Sequence, residues 1–383
     1  MRCDYFEAGT CTSCTLMGTD HHRQVADKQA DAQSLLSPFA GEGLRWESPF
    51  IGAESGFRNK AKMVVGGTRR RPTLGILDSE GHGVDLRRCG VISPGMQAAL
   101  RVLSMLVSIA RLTPYDVRAD LGELKYVLVT ESPAGDLQLR FVLRSTDQLP
   151  SLRAHLPGTI AKLQEGRPGI AVLASANIQP EHKAVIEGPT EIPLTADQSL
   201  RMTVNGMDLH LRPRSFFQTN TEVAAALYRA GRDWVDALAP ARVWDLYCGV
   251  GGFALHLARE DREVTGVEVS AEAIDSAALT TRELGLPGTR WIAADATRWA
   301  GEQPVSDRPD LVVVNPPRRG LGAELSSWLE DSGIDTVLYS SCNARSLAKD
   351  LERMPSLRPV RARVFDMFPQ TRHYEVLTLL TRG

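Results

Sequence analysis

Two side chains near the end of the chain are of types that can act together in covalent catalysis. Cys342 follows a predicted strand at 336–340 and precedes a predicted helix at 344–354, whose N-terminus would lower the pKa of the thiol. Glu375 precedes a predicted apolar strand and lies among aromatic residues, so partial burial would raise its pKa towards the range of a general base. Position alone equally allows a small buried thiol in a tight turn and an ordinary acid at a strand edge.

A glycine-rich turn upstream has the composition of a cofactor site. Gly249, Gly251 and Gly252 follow the first predicted strand of the second half of the chain and would let a ligand approach the backbone beside a helix N-terminus. Glu268 ends the next predicted strand, where a carboxylate can accept both ribose hydroxyls. Asp295 ends the third, where it could face an adenine amino group or belong to a solvated turn. The pattern favours S-adenosylmethionine over a nicotinamide cofactor, because the full G-x-G-x-x-G spacing is missing.

An Asn-Pro-Pro triplet begins at Asn315, at the carboxyl end of the fourth predicted strand and beside the expected methyl donor. Such a triplet is typical of methyltransferases that act on exocyclic amines, but an aromatic residue follows it there, whereas Arg318 follows it here. Carbon 5 of a pyrimidine is too weak a nucleophile to take a methyl group unless a thiolate first adds at carbon 6, and a base must then remove the carbon-5 proton. Cys342 and Glu375 next to a methyl donor therefore favour methylation of pyrimidine carbon 5.

Four further cysteines form a second candidate centre. Cys11 and Cys14 make a compact Cys-x-x-Cys pair, and Cys3 and Cys89 complete a set of four thiols in the first quarter of the chain. Four thiolates suit zinc and an iron–sulfur cluster alike, and the spacing does not separate the two.

Composition limits the class of protein. The 383 residues are 43% hydrophobic and 23% charged, and 44 basic against 46 acidic residues give a formal charge of −2, so any binding to nucleic acid must come from a local patch. The sequence contains no apolar run long enough for a membrane span, and its first residues do not form a secretory signal. We therefore expect a cytoplasmic protein whose cysteines are not a disulfide scaffold.

The pattern of predicted elements divides the chain into two parts. Residues 41–200 contain predicted antiparallel strands at 124–130 and 137–143 and a segment at 58–71 in which six of fourteen residues are basic, which indicates an α+β domain that binds RNA phosphates. Arg58, Lys60 and Lys62 are the expected contacts. From about residue 240, short apolar strands alternate with helices, which predicts a doubly wound α/β domain of the Rossmann type.

Five motifs, taken in order, resemble the RNA uracil-5-methyltransferase family that carries an iron–sulfur cluster. They begin at Ser215 (Ser-Phe-Phe-Gln-Thr-Asn), Asp245 (Asp-Leu-Tyr-Cys-Gly-Val-Gly-Gly-Phe), Asn315 (Asn-Pro-Pro-Arg), Ser340 (Ser-Ser-Cys-Asn) and His373 (His-Tyr-Glu). The resemblance spans the whole chain. It implies a C-terminal class I methyltransferase domain that uses S-adenosylmethionine, with Cys342 as nucleophile and Glu375 as base.

The resemblance also implies the full ligand set of each of the two sites, including Gln218, for which the residues alone indicate no role. The donor site would fall on Gln218, Tyr247, Glu268 and Asn315, with Tyr247 in place of the more usual phenylalanine and Asn315 where sister branches have aspartate. The four cluster ligands would be Cys3, Cys11, Cys14 and Cys89, holding a [4Fe–4S] cluster.

Within this family, the chain is most similar to the branch that makes 5-methyluridine at position 747 of 23S ribosomal RNA. Because the first cluster cysteine is residue 3, we expect no TRAM domain before the cluster. The predicted organisation is an iron–sulfur segment at 1–40 and 85–92, a central α+β RNA-binding domain at 41–200 and a methyltransferase domain at 201–383. The expected partner is 23S ribosomal RNA, with no membrane and no obligate protein partner.

The residues alone are also compatible with two other functions. The Asn-Pro-Pro triplet would also suit an amine methyltransferase acting on RNA or protein, which needs no thiol and should stay active after Cys342→Ala. A non-catalytic iron–sulfur RNA-binding factor with a vestigial donor fold would fail to bind S-adenosylmethionine.

Overall fold

The computed structural model describes residues 1–41 and 43–383. The helices of this part of the chain are α1 (Asp4–Glu7), α2 (His21–Leu36), α3 (Pro94–Ile109), α4 (Leu149–Glu165), α5 (Thr221–Asp236), α6 (Gly252–Leu257), α7 (Ala271–Leu284), α8 (Ala296–Glu302), α9 (Ala323–Asp331) and α10 (Ala344–Leu351). Short 3-10 helices lie at Ser37–Phe39 and Val305–Asp307. No helix among the described residues is both long and apolar enough to cross a membrane.

The strands of the same residues are β1 (Arg45–Trp46), β2 (Lys60–Gly67), β3 (Pro72–Leu77), β4 (Gly83–Asp85), β5 (Leu124–Glu131), β6 (Leu137–Leu143), β7 (Val172–Ile178), β8 (Thr190–Pro193), β9 (Leu200–Val204), β10 (Met207–Leu211), β11 (Arg242–Leu246), β12 (Glu263–Glu268), β13 (Thr289–Ala293), β14 (Leu311–Val314), β15 (Thr336–Ser341), β16 (Leu357–Phe365) and β17 (Glu375–Arg382). Strands β9 and β10 pair with each other in a small separate sheet.

The chain packs into two compact units. The first contains Met1–Gly18 and Glu54–Thr203, and the second contains Thr19–Ala53 and Val204–Gly383. The first is built on a sheet with the strand order β4-β3-β2-β5-β6-β7-β8. Helices α3 and α4 bury apolar residues spaced three or four apart against one face of this sheet and form a single core with it. The predicted hairpin at 124–143 is confirmed as β5 and β6.

The second unit is a doubly wound sheet with the order β1-β16-β17-β15-β14-β11-β12-β13. Strands β15, β14, β11, β12 and β13 are mutually parallel, whereas β17 runs antiparallel to both of its neighbours. Every residue of Leu311–Val314 is buried, as expected for a parallel strand that is covered on both faces. The predicted α/β fold of this half is therefore confirmed; β16 is an additional strand, and the predicted last strand, β17, runs antiparallel to its neighbours.

The packing divides the chain differently from the predicted ranges. Residues 19–53 belong to the second unit, although the prediction assigned 1–40 to the iron–sulfur segment and 41–200 to the central domain. The physical reason is that α2 packs on α10 and β16, and that β1 pairs in parallel with β16. The assignment of an iron–sulfur or RNA-binding role to each range stays a prediction.

Candidate active site

The residues expected to carry chemistry in the second unit lie along one edge of its sheet. Parallel strands bring their carboxyl ends to the same edge, which places Glu268 at the end of β12, Asn315 after β14 and Cys342 after β15. Strand β17 runs the other way, and its Val376 pairs with Ser341 of β15, so that Glu375 enters the sheet beside Cys342. The antiparallel strand is thus the element that brings the carboxylate to the thiol.

Glu375 is fully buried in this edge. Ser340 Oγ donates to Glu375 Oε1 over 2.5 Å, and Glu375 Oε2 has no hydrogen-bond partner among the described residues. Burial raises the pKa of Glu375 to about 7, and the Ser340 hydrogen bond acts in the opposite direction. The carboxylate therefore has one oxygen fixed and one open, with a pKa suited to accepting a proton near neutral pH.

Cys342 is partly exposed, and its thiol does not have the lowered pKa expected from the sequence. Burial and the neighbouring Glu375 raise the pKa of Cys342 to about 11, while the positive charge of Arg318 acts to lower it. The expectation was wrong because desolvation and a nearby carboxylate outweigh the N-terminus of the eight-residue helix α10. The thiol is consequently protonated at neutral pH.

The loop after Asn315 is fastened to the segment after Cys342. The carbonyl oxygen of Arg318 accepts hydrogen bonds from Asn343 Nδ2 at 3.0 Å and from Ser346 Oγ at 2.9 Å. Arg318 Nη2 also donates to His373 Nδ1 at 3.1 Å, two residues before Glu375. The Asn-Pro-Pro-Arg loop therefore connects the strand ends that hold the thiol and the carboxylate.

A buried aspartate fixes the far end of the same loop. Asp350 Oδ2 accepts hydrogen bonds from Leu321 N and from Tyr339 Oη, each at 2.8 Å. Gly320 has a φ of +85°, and a Cβ there would lie 2.4 Å from Asp350 Oδ2, so the turn requires glycine.

The glycine turn of the expected donor site holds Glu268 by its backbone. Gly249 N donates to Glu268 Oε2 at 3.3 Å, and Ser270 N donates to Glu268 Oε1 at 3.0 Å. Gly251 caps helix α6 with a φ of +90°, a conformation that favours glycine. The carboxylate is partly exposed, so its remaining acceptor capacity can serve ribose hydroxyls.

Several buried polar atoms of residues in or near the expected donor motifs lack partners among the described residues. Asp245 Oδ2 accepts from Ala254 N at 2.9 Å, but Asp245 Oδ1 has no partner, and burial raises the pKa of Asp245 to about 8. Thr219 Oγ1 and Asn220 Nδ2, next to the buried Gln218, are also without partners. Unpartnered buried polar atoms are costly, and a bound polar ligand would satisfy them.

Two further residues considered for the donor site, Tyr247 and Asp295, differ in their structural setting. Tyr247 follows β11 with a φ of +71° and is partly exposed. Asp295 is the N-cap of helix α8, where its Oδ1 accepts from Arg298 N at 2.9 Å. This cap explains Asp295 as a structural residue, and contact with adenine stays a prediction.

The first unit brings the four early cysteines into one neighbourhood. Burial together with the thiols of Cys89, Cys11 and Cys3 raises the pKa of Cys14 to about 11. The N-terminal segment packs on the Cys89 loop, since Arg88 N donates to the hydroxyl of Tyr5 at 3.3 Å. Among the described residues, however, no group of three or more histidine, cysteine or acidic side chains is arranged as a metal-binding set.

The expected RNA contacts, Lys60 and Lys62 on β2 and Arg58 just before it, differ in their exposure. Arg58 is mostly buried, and its Nε donates to the carbonyl oxygen of Lys60 at 2.9 Å. Burial and the charges of Lys62 and Arg140 lower the pKa of Lys60 to about 8. Lys62 is exposed, and its Nζ lies 3.4 Å from Glu187 Oε1. Of the three, Lys62 is the most accessible to a phosphate.

Comparisons with known proteins place this site in a family. A methyltransferase domain model matches residues 243–333, and a tRNA (Uracil-5-)-methyltransferase model matches residues 305–383. The 23S rRNA (uracil(747)-C(5))-methyltransferase RlmC of Serratia proteamaculans is 49% identical over 384 residues, covering the whole of both chains. The RlmC of Pectobacterium atrosepticum is 47% identical with the same coverage. The chain belongs to the RlmC family.

A solved structure agrees in fold with this family assignment. The tRNA (uracil-54, C5)-methyltransferase of Pyrococcus abyssi, in complex with S-adenosyl-L-homocysteine, superposes with a TM-score of 0.75 at 22% identity, covering 96% of this chain and 85% of that chain. The predicted class I methyltransferase fold is thereby confirmed.

Sequence reasoning missed residues that support the site of this RlmC family member. Ser340, which binds Glu375, was read only as part of a motif, and Asp350 was not singled out. The position of Ser340 on β15, two residues before Cys342, is a signal that could have marked it. No comparable signal marks Asp350.

Proposed function

We propose that this protein transfers a methyl group from S-adenosylmethionine to carbon 5 of a uridine in 23S ribosomal RNA. The proposed uridine is at position 747, which is the position given in the names of its relatives. The observation that carries the proposal is the pairing of Ser341 with Val376. This pairing sets the Cys342 thiol and the buried Glu375 carboxylate side by side, at the edge of the sheet where the parallel strands have their carboxyl ends. An amine methyltransferase would have no use for that thiol.

The reaction follows from the chemistry of these two groups. The Cys342 thiol first loses its proton to solvent, and Arg318 is the cation whose charge favours the resulting thiolate. The thiolate sulfur then adds to carbon 6 of the uracil. Carbon 5 of the resulting enolate attacks the methyl group of the donor, and S-adenosylhomocysteine is the leaving group. Glu375 then takes the proton from carbon 5, the electron pair re-forms the 5,6 double bond, and the carbon–sulfur bond breaks to release the thiolate.

The donor would bind at the glycine turn. Glu268, held by two backbone N–H groups, would accept the ribose hydroxyls, and Tyr247, Gln218 and Asn315 would line the remaining site. The unpartnered Asp245 Oδ1 supports a polar ligand at this turn.

Cys3, Cys11, Cys14 and Cys89 would hold a [4Fe–4S] cluster. The neighbouring thiols supply the donor chemistry that such a cluster needs, although the described side chains do not form a finished metal-binding arrangement. A cluster there would join the N-terminal segment covalently to the Cys89 loop, which is a structural contribution. None of the catalytic steps above passes through it.

A covalent trapping assay tests the proposal. The protein and S-adenosylmethionine are incubated with a 23S ribosomal RNA fragment that contains 5-fluorouridine at the target position, and denaturation-resistant adducts are separated on a gel. Fluorine at carbon 5 cannot leave as a proton, so the protein should remain bound to the RNA. Loss of the adduct in Cys342→Ala supports the mechanism. Methyl transfer to unsubstituted RNA without any adduct on the fluorinated fragment would contradict it and favour amine methylation.

A further inference from the structure

The segment 366–374, which leads directly into Glu375, lies outside the helices and strands but is largely buried. Asp366 has no exposed surface, and Gln370 is 1% exposed with a left-handed φ of +67°. A segment of this kind needs specific partners to hold one conformation, because it has no ladder of backbone hydrogen bonds of its own.

Its partners include the polar face of helix α2. Lys28 Nζ donates to Asp366 Oδ1 at 2.6 Å and to the carbonyl oxygen of Phe368 at 3.1 Å. His21 Nε2 lies 2.6 Å from the other carboxylate oxygen, Asp366 Oδ2. Both oxygens of the buried aspartate are thus bound by one helix, and the carbonyl two residues later is bound by the same lysine.

Two further residues of α2 bind the rest of the segment. Gln24 Oε1 accepts from Gln370 N at 2.9 Å, and Gln24 Nε2 donates to Gln370 Oε1 at 3.2 Å. Asp31 Oδ2 accepts from Tyr374 Oη at 2.8 Å, one residue before Glu375. Residues 21, 24, 28 and 31 recur every three or four positions, so they occupy one side of the helix.

These buried polar contacts would be an inefficient way to lower the free energy of the folded state, so stability alone does not account for them. Burial lowers the pKa of Lys28, and the attraction of Asp366 only opposes that effect. Buried ion pairs contribute little net stability compared with apolar packing, but their directional bonds can specify one arrangement. The arrangement specified here is that of the segment that delivers the candidate base and places His373 beside Arg318.

We propose that α2 is the positioning element of the proton-removal step, with Lys28 and Gln24 as positioning residues that hold segment 366–374 and thereby orient Glu375 towards carbon 5. The proposal rests on the proposed function. It predicts that loosening the segment impairs the last step of the reaction more than the first, because Cys342 is carried by β15 and not by this segment.

The test is a comparison of Lys28→Met with Arg23→Met, an exposed residue of the same helix that pairs with Asp27. Single turnovers are run with ordinary, unfluorinated RNA, and both released methylated RNA and denaturation-resistant adduct are measured. If proton removal is the impaired step, Lys28→Met should release product on the order of 100-fold more slowly. Methylated RNA should accumulate on Cys342, while the affinity for S-adenosylmethionine, measured by calorimetry, stays unchanged. Arg23→Met should behave like the unaltered protein.

Gln24→Ala is the milder second variant, in case Lys28→Met does not fold. A folded variant that releases product at the normal rate, or that loses adduct formation and release to the same extent, would overturn the positioning role. The unaltered protein with the 5-fluorouridine fragment separates the two proposals. If it forms no adduct, the proposed function fails. If it forms the adduct and both α2 variants match Arg23→Met, only the positioning role fails.

Discussion

At the scale of single residues, the proposed role of Glu375 as a base depends on how this fully buried carboxyl group is kept able to ionise. The groups that face it are the Ser340 hydroxyl of β15, the Cys342 thiol just after β15 and the buried Tyr228 phenol of α5. Phe365 is its partner on β16. None of these carries a positive charge. The Ser340 hydrogen bond is therefore the main local interaction that favours the carboxylate form.

Ser340→Ala should move the pH dependence of turnover. Glu375 must be ionised to accept the proton, so kcat should rise with pH through the pKa of about 7. Removing the Ser340 donor destabilises the ionised form and should shift this rise upward by about one pH unit. Profiles of kcat from pH 5.5 to 9 measure the shift, and Ser340→Thr, which keeps the hydroxyl, should restore the original profile. An identical profile for the alanine variant would show that Ser340 does not act on the base.

The same raised pKa has a consequence for stability. Between the ordinary pKa of a glutamate and about 7, the folded protein holds a proton on Glu375 that the unfolded chain has lost. The contribution of this residue to folding is therefore complete at acid pH and is lost as the pH rises through 7.

At the scale of secondary-structure elements, the sequence predicts strands best where burial on both faces makes them apolar throughout. Leu311–Val314 is predictable as a strand for this reason, since all four residues are apolar and buried. Leu137–Leu143 contains Gln138 and Arg140, and it is predictable instead from its pairing with 124–130 around the turn at 132–136. Strand β16 was missed, because arginines alternate with its apolar residues and Pro359 argues against a strand. The structure accommodates that proline with a register shift between Pro359 and Arg361.

Helix α2 was missed for a related reason. Its buried positions include Gln24 and Lys28, residue types that normally indicate a solvated face, so only Val25, Ala32 and Leu36 signalled an inward side. Long-range partners such as Asp366 cannot be read from local pattern. The candidate catalytic pair was predictable because its chemistry is rare, and the supporting residues were not, because their roles arise only from contacts distant in sequence.

The prediction at this scale concerns Lys62, the exposed lysine of strand β2. Lys62 lies on the face of the sheet opposite α3 and α4, and its exposed ammonium group is available to an RNA phosphate. Lys62→Glu should weaken binding of the RNA fragment several-fold and flatten its salt dependence, without changing the affinity for S-adenosylmethionine. Filter-binding titrations at several salt concentrations measure this. The control is Lys162→Glu, at an exposed lysine of α4 in the same unit. Equal RNA affinity for both variants would remove Lys62 from the interface.

At the scale of the whole molecule, the two units make separable contributions. The candidate catalytic residues and the glycine turn proposed for the donor all lie in the second unit, whereas the four cysteines lie in the first. Loss of the cysteine site should therefore affect the first unit selectively. Because of this separation, the effect of losing the cysteine site distinguishes a structural cluster from one that takes part in the reaction.

Cys89→Ala tests that separation. Without one of four ligands the cluster should be lost, and residues 1–18 should then be held only by noncovalent contacts such as the Met1 ammonium–Glu54 pair at 2.8 Å. We expect loss of iron and of visible absorbance in protein purified without oxygen, together with faster amide hydrogen exchange in residues 1–18 and 85–92. Binding of S-adenosylmethionine, measured by calorimetry, should be unchanged because its site is in the other unit. Cys342→Ala, a cysteine outside the cluster, should keep the full iron content. If Cys89→Ala retains its iron, or if the unaltered protein contains zinc, the four thiols do not form the proposed [4Fe–4S] site.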